Sequence, residues 1–299
     1  VGGNWSRDIT NDKWTNGQNF TITAFAKDEA GNTETPGPIG TFLFDSQVPT
    51  SIITIPSNGG TYSTLDTITG TATDNSSGVK NIKVSINNVT DTTYWAGTGW
   101  ATAEVYLLAS GTANWYFASP EWTTPKNYLI KSKAEDDAGN IETPSVGNSF
   151  LYDTSAPSSS IVLPANNAKL QSLSYVSGTA SDPAPGSGLS NVKVLIKDTS
   201  NTNYWTGSTW TAAENWITAT GQGNWKYGTM PTWSSGTVYL VQSKATDNAN
   251  NTETAGAGNS WTYDTTAPSS FITLPTNNAK LKLCPTISGT ASGNATSVS

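Results

Sequence analysis

Seven aspartates are the residues of this 299-residue chain with the clearest potential to bind a ligand. They lie in short motifs rich in Gly, Asn and Ser, and they form two sets: Asp45, Asp74 and Asp136 or Asp137, then Asp153, Asp182 and Asp247. Carboxylate oxygens are the hard ligands that Ca²⁺ prefers. If the fold brings each set together, each could hold a calcium ion. The alternative is that these aspartates only cap the backbone of their own turns.

The amino-acid composition gives little support for catalysis. The chain has no His and a single Cys, and its Asp and Glu residues cluster in turn motifs. General acid–base and nucleophilic catalysis both require a nucleophile or an acid paired with a supporting base. We therefore predict that the protein is not an enzyme. The formal net charge of −7 also argues against a nucleic-acid partner, because no basic face is available to neutralise phosphates.

Twelve tryptophans are the other unusual feature of the composition. Two pairs bracket short Gly-containing turns of the form YWxGxxW, and they are Trp95 with Trp100 and Trp205 with Trp210. Exposed indoles at such a hairpin could stack on sugar rings, or the pair could pack across its own hairpin. A third group recurs in GNW or ANW blocks and is predicted to lie in the core: Trp5, Trp115 and Trp225.

An internal repeat organises all of these residues. The segments FLFDSQVP, FLYDTSAP and WTYDTTAP place an aspartate at positions 45, 153 and 264, and the blocks ITGTATD, VSGTASD and ISGTAS follow in the same phase. The spacing between successive aspartates of this series fits the length of one β-sandwich of seven or more strands. The repeat predicts two complete units and two partial ones: 1–44 (C-terminal part), 45–152, 153–263 and 264–299 (N-terminal part).

Apolar and polar residues alternate within each repeat, as they do in strands with one buried face. Val192, Val194 and Ile196 fall on one face of a predicted strand, while Lys193 and Lys197 share the other face with Leu195. The equivalent run in the preceding repeat is Ile82, Val84 and Ile86. The predicted fold class is all-β. No apolar run reaches the roughly 18 residues of a membrane-spanning helix, so we expect no membrane insertion by this segment.

The chain resembles the bacterial Ig-like domains that repeat in surface adhesins and other exported proteins. The motifs that carry the resemblance are the D-[ST]-x-x-P linker, the SGTA block and the DxAGN hairpin near the end of each repeat. The resemblance implies tandem Ig-like antiparallel β-sandwiches stacked as an extended rod, located outside the cell or on the bacterial surface. In such a sandwich the opening linker, the loop after the second strand and the last hairpin share one end. This geometry predicts that each aspartate set converges at a junction between repeats.

Three functions remain open at this stage. The first is a non-catalytic structural or adhesive protein that forms a stiff stalk or fibre, stiffened by Pro-containing linkers at Pro49, Pro157 and Pro268. The second is a subunit of an extracellular filament or surface layer, completed by strand exchange with other copies. The third is a carbohydrate-binding module that uses the Trp pairs. The expected partners are accordingly neighbouring repeats, other copies of the chain, or surface glycans.

Overall fold

The computed structural model describes residues 3–9, 13–36, 39–284, 286–293 and 297. All regular elements among these residues are β-strands, which confirms the predicted all-β fold class. The described part of the chain holds no helix with the length and hydropathy needed to cross a membrane. The chain divides into two compact units, Val1–Thr154 and Ser155–Ser299.

The described residues of the first unit form thirteen strands. They are β1 (Gln18–Thr23), β2 (Ile39–Phe44), β3 (Thr50–Ile55), β4 (Gly60–Tyr62), β5 (Thr67–Thr73), β6 (Val79–Asn88), β7 (Thr93–Trp95), β8 (Trp100–Ala101), β9 (Leu107–Leu108), β10 (Ser110–Gly111), β11 (Asn114–Ala118), β12 (Lys126–Asp136) and β13 (Asn148–Tyr152).

Two sheets of the first unit face each other as a sandwich. One sheet has the order β10-β11-β5-β3, and the other has the order β4-β13-β12-β6-β7-β8, with β9 also paired to β6. The pairs are antiparallel, except that β4 runs parallel to β13 after the chain switches sheets. Strands β1 and β2 form a separate antiparallel hairpin. This architecture is an Ig-like β-sandwich preceded by a two-stranded hairpin.

The second unit repeats this arrangement. Its strands are β14 (Ser158–Leu163), β15 (Ala168–Leu170), β16 (Val176–Ser181), β17 (Leu189–Asp198), β18 (Asn203–Trp205), β19 (Trp210–Thr211), β20 (Ile217–Thr218), β21 (Asn224–Tyr227), β22 (Val238–Asp247), β23 (Asn259–Tyr263), β24 (Ser269–Leu274) and β25 (Ser288–Ser292). The sheet β14-β16-β21 faces the sheet β15-β23-β22-β17-β18-β19, and β24 pairs with β25. The tandem Ig-like fold is thus confirmed, whereas the exact repeat boundaries and the rod stay predictions.

The alternating strand patterns place their apolar faces in the cores, as predicted. Val192, Val194 and Ile196 have no exposed surface, and their equivalents in β6 are buried to the same degree. Each core lies between its two sheets and includes aromatic side chains such as Tyr128 and Tyr239. Leu195, on the opposite face of β17, is also buried, so this outer face is not uniformly solvated.

Side chains cover part of the free edge of the strand that opens each sandwich. At β3, a Glu142 carboxylate oxygen accepts the backbone N–H of Ser51 at 3.0 Å. The Asn148 amide donates to the carbonyl of Ile53 at 3.2 Å. In the second unit, Glu253 accepts the N–H of Ser159 at 2.9 Å. An uncharged edge strand is a template for pairing with other chains, and these contacts occupy polar groups that would otherwise be available for it.

Candidate functional site

Three strand ends bring the first aspartate set together. Asp45 follows β2, Asp74 follows β5 and Asp136 ends β12. Each offers a carboxylate oxygen, and these oxygens all lie within 4.8 Å of one another. Asp136 is fully buried, while Asp45 and Asp74 are half-buried. The structure therefore produces the convergence that the Ig-like topology predicts for this set.

Backbone amides fix the orientation of two of these carboxylates. One oxygen of Asp74 accepts the N–H groups of Ser76 at 3.0 Å and Gly78 at 2.8 Å. The other oxygen of Asp74 is buried and has no hydrogen-bond partner. The two oxygens of Asp136 accept the backbone and side-chain N–H groups of Asn140, both at 2.8 Å. The aspartates thus cap their own turns and also converge, so turn capping does not exclude a calcium site, which stays a prediction.

Asp45 connects the hairpin side of the site to the loop after β5. One oxygen accepts the backbone N–H of Ser77 at 3.0 Å and its hydroxyl at 2.5 Å, and the other accepts the N–H of Gln47 at 3.0 Å. The Ser77 hydroxyl is the main cause of a pKa for Asp45 below its ordinary value. Asp45 is consequently charged at neutral pH, close to two further carboxyl groups.

Negative charge at this site has no basic counterpart. Among the residues that the structure describes, none of Asp45, Asp74 and Asp136 forms an ion pair with Lys or Arg. Three carboxylates held this close repel one another unless a proton or a cation intervenes. The donor set consists of hard oxygens, which suits a divalent ion such as Ca²⁺.

Asp137 lies outside this group, so of the two neighbouring residues only Asp136 belongs to the site. Asp137 is exposed, and its backbone N–H donates to the carbonyl of Gly78 at 3.1 Å. Side chains of successive residues at a strand end point to opposite sides, and only one of two adjacent aspartates can face the loop after β5. Sequence analysis did not identify Ser77 and Asn140, although both lie in motifs that recur along the chain.

The second aspartate set shows the same local chemistry. The two oxygens of Asp247, at the end of β22, accept the backbone and side-chain N–H groups of Asn251, both at 2.8 Å. Asp182 follows β16 and accepts the N–H of Gly188 at 2.6 Å. Asp153 follows β13 and is fully buried. By repeat register these three residues are the equivalents of Asp136, Asp74 and Asp45.

The pKa of Asp45 yields a test of this geometry. Because the folded-state pKa is lowered, the stabilisation from Asp45 is present above its unfolded value, about 3.9, and is lost as the pH falls through the folded value. An NMR titration of the Asp45 carboxyl in calcium-free buffer should give a midpoint below that of unfolded Asp. Ser77→Ala removes the hydroxyl donor and should raise the midpoint. An unchanged midpoint in Ser77→Ala would contradict the hydrogen-bond assignment.

The paired tryptophans pack across their hairpins and do not form exposed platforms. The ring centroids of Trp95 and Trp100 are 5.6 Å apart, and those of Trp205 and Trp210 are also 5.6 Å apart. All four contact the cores, and Trp205 is only 7% exposed. The other three are half-buried, so neither pair is fully exposed, and sugar stacking by these tryptophans stays a prediction.

The tryptophans of the GNW and ANW blocks are core residues in the complete repeats only. Trp115 and Trp225 are 2% and 1% exposed. Their indole N–H groups donate to the carbonyls of Thr71 and Thr179, both at 3.1 Å. Trp5, however, is 72% exposed, so its predicted core position is wrong. Residues 1–44 contain no SGTA strand equivalent to β5 or β16, against which Trp5 would pack.

Comparisons with known proteins give only distant similarity. No protein-family model matches the chain. No curated protein sequence matches it either. Among solved structures, it is similar to the fibronectin(III)-like modules of Clostridium thermocellum CbhA, with 16% identity, a TM-score of 0.36, and coverage of 72% of this chain and 94% of that one.

Two further solved structures show similarity at the same low level. The FN1–FN3 domains of chicken CNTN1 are 12% identical, with a TM-score of 0.35 and coverage of 83% of this chain and 76% of that one. Dimeric latent PorU from Porphyromonas gingivalis is 11% identical, with a TM-score of 0.24 and coverage of 78% of this chain and 26% of that one. Such scores carry no argument about function, and the fold assignment rests on the strand order described above.

Proposed function

We propose that this chain is part of a non-catalytic, extracellular structural protein of a bacterial surface, in which Ig-like repeats form a stiff stalk or fibre joined by Ca²⁺-binding junctions. The observation that carries the proposal is the convergence of Asp45 with Asp74 and Asp136. Asp45 belongs to the linker that follows the β1–β2 hairpin, whereas the other two belong to the sandwich after it. An ion held by all three would fix the linker to that sandwich.

Protein contacts around the linker support this role. The side-chain oxygen of Asn16, just before β1, accepts the backbone N–H of Ser46 at 2.7 Å. The amide nitrogen of Asn16 donates to the hydroxyl of Ser76 at 3.2 Å. These contacts tie the hairpin and the loop after β5 to the same linker. A cation would add a strong attraction where the protein alone leaves carboxylates in mutual repulsion.

A non-catalytic role fits the surfaces of the described residues. A cavity of about 210 Å³ lies beside β14, and its lining consists of Ser, Gly, Asn and Ile residues. That lining holds no carboxylate, amine or thiol that could serve as acid, base or nucleophile. The absence of His from the whole sequence removes the commonest general base as well.

Calcium titration tests the junction proposal directly. Isothermal calorimetry should detect a Ca²⁺ ion bound by Asp45, Asp74 and Asp136, and Asp136→Asn should abolish this binding. Ligand at a hundredfold excess over its Kd stabilises a folded protein by about 2.7 kcal/mol, so the melting temperature should rise on Ca²⁺ addition.

Asp137→Asn provides the matched control, because it removes the same charge from the neighbouring residue outside the site. Asp137→Asn should bind Ca²⁺ with the same stoichiometry and affinity as the unmodified protein. Equal losses in Asp136→Asn and Asp137→Asn would show that only general negative charge attracts the ion. An absence of any calcium response would exclude the junction site.

A second candidate function, a filament or surface-layer subunit, is favoured by exposed apolar residues in the β24–β25 hairpin. Ile272 and Ile287 are 64% and 75% exposed. Their register equivalents in the first sandwich, Ile53 and Ile68, are 8% and 0% exposed and belong to its core. A complementary pair of strands from another copy would bury these residues in the same manner.

The thiol of Cys284 provides a probe of this candidate, because Cys284 is exposed but stands in register with the buried Leu65 and Leu173. Strand exchange between copies should protect the thiol from alkylation in step with a rise in molar mass measured by light scattering. A chain that stays monomeric at high concentration, with a fully reactive Cys284, would exclude this candidate and leave the stalk proposal standing.

A further inference from the structure

Just before β1, β12 and β22, one side chain accepts a hydrogen bond from the residue that follows the linker aspartate. Before β1, the side-chain oxygen of Asn16 accepts the backbone N–H of Ser46 at 2.7 Å. The same contact recurs with hydroxyl acceptors: Thr124 accepts the N–H of Thr154 at 2.9 Å, and Ser235 accepts that of Thr265 at 3.0 Å. A hydroxyl is therefore sufficient here, yet the first repeat uses an Asn followed by Gly.

An Asn followed by Gly can undergo deamidation, a reaction that Thr and Ser cannot undergo. The backbone nitrogen of Gly17 can attack the side-chain carbonyl carbon of Asn16, because Gly has no β-carbon to hinder the approach. The new C–N bond closes a succinimide ring, while the bond to the carboxamide nitrogen breaks and ammonia leaves with the former Gly17 amide proton. Water then opens the ring to aspartate or isoaspartate. Isoaspartate adds a methylene group to the main chain.

Hydrogen bonds to the linker restrain both reacting groups in the folded protein. The Gly17 N–H donates to the carbonyl of Phe44 at 2.9 Å, and the Asn16 oxygen is held by Ser46. Phe44 and Ser46 lie on either side of Asp45 in the sequence. Attack on Asn16 therefore requires a local opening that separates the linker from the start of the hairpin.

A second Asn–Gly pair, Asn58–Gly59, provides an internal comparison. The Gly59 N–H donates to the carbonyl of Ser149 at 2.7 Å, and the Asn58 oxygen accepts the Ser149 N–H at 2.9 Å. These contacts join the turn before β4 to β13 and do not involve the linker. Opening at Asn58 is therefore expected to be independent of Asp45.

We propose that Asn16–Gly17 is a deamidation site controlled by the junction: the closed linker protects it, and an opened linker exposes it to irreversible conversion. The calcium dependence of this control rests on the proposed function, in which Asp45, Asp74 and Asp136 hold the ion. An ion that fixes Asp45 would also keep the two flanking hydrogen bonds in place. Isoaspartate lengthens the main chain between the two linker contacts, so a converted junction cannot re-form both of them.

Tandem mass spectrometry of digests tests the calcium dependence, since it measures conversion at Asn16 and Asn58 in the same sample. At mildly alkaline pH without calcium, Asn16 should deamidate more slowly than in the urea-unfolded chain. Calcium at about a hundredfold excess over its Kd should slow this conversion by more than about tenfold, because the ion must dissociate before the linker opens. Conversion at Asn58 should not change, and sodium chloride at equal ionic strength should protect neither site.

Ser76→Ala tests the site without calcium. The Ser76 hydroxyl accepts the carboxamide N–H of Asn16 at 3.2 Å, so its loss should speed deamidation at Asn16 about fivefold, the factor expected for one ordinary hydrogen bond. Ser149→Ala is the matched control. It removes the 3.1 Å contact from the Ser149 hydroxyl to Asn58 and should speed conversion at Asn58 instead.

The outcomes separate the deamidation site from the calcium site. Absence of the Asn16 product when the unfolded chain has converted fully, or equal effects of both variants at Asn16, would overturn the proposal. Ion binding in calorimetry without protection of Asn16 would overturn control by the junction. If calorimetry detects no ion, the calcium junction fails, while the result for Ser76→Ala still decides whether the linker contacts protect Asn16.

Discussion

Trp225→Ala is expected to destabilise the second unit by about 3–5 kcal/mol, the range typical of large aromatic side chains removed from a core. Trp225 is 1% exposed and belongs to the core cluster of that unit. Its loss leaves a cavity between the sheets and also removes the hydrogen bond from the indole to the carbonyl of Thr179. Chemical denaturation, followed by the signals of the second unit, would measure the change.

Trp5→Ala supplies the control for this experiment. Trp5 occupies the same repeat position but is 72% exposed, so its removal should change stability by less than about 0.5 kcal/mol. A cost for Trp225→Ala as small as that for Trp5→Ala would show that the buried indole does not support the sandwich.

Sequence analysis identified the SGTA and GNW blocks separately but not their contact. Alternation of apolar and polar residues assigns a side chain to a face of its own strand. It does not say which distant strand lies beside it. The pairing of β5 with β11 places Trp115 next to Gly70 and lets its indole reach the carbonyl of Thr71. The error at Trp5 has the same origin, because its burial depends on a partner strand and not on its own residue type.

The acidic site was predictable in outline because topology alone places three strand ends together. The choice between Asp136 and Asp137 was not predictable. The β12–β6 pairing contains an irregularity between Glu135 and Asp136, and the alternation of faces cannot be extrapolated through such a bulge. The supporting residue Ser77 was also missed, since a serine in a polar loop gives no signal of a distant carboxylate partner.

The covering of the edge strands was equally hidden in the sequence. Glu142 and Asn148 occur in a polar segment that reads as an ordinary turn, yet they bond to Ser51 and Ile53 of β3. These contacts join residues about 90 positions apart, beyond the reach of any local pattern. They are consistent with a repeat protein whose complete sandwiches resist lateral pairing, so that association would be restricted to specific surfaces.

Gly178→Ala is expected to destabilise the second unit by about 1–3 kcal/mol, the usual cost of forcing extra volume into a packed core. A methyl group on Gly178 would overlap the backbone carbonyl oxygen of Ser160 and the Trp225 ring. Ser160 belongs to the paired strand β14, so relief of the overlap requires the two strands to separate locally. Gly228→Ala is the control, since a methyl group there meets no atom within 4 Å. Equal costs at the two glycines would contradict this account.

The double variant Gly178→Ala with Trp225→Ala separates the overlap with the Trp225 ring from the overlap with the Ser160 carbonyl oxygen. Without the indole, the added methyl group at Gly178 gains space on one side but still meets the Ser160 carbonyl on the other. The double variant should therefore be destabilised by less than the two single changes together, yet by more than Trp225→Ala alone. Full additivity would show that the ring and Gly178 do not share one packed site. The coupling, measured by chemical denaturation of all four proteins, thus reports why a glycine occupies the centre of each SGTA strand.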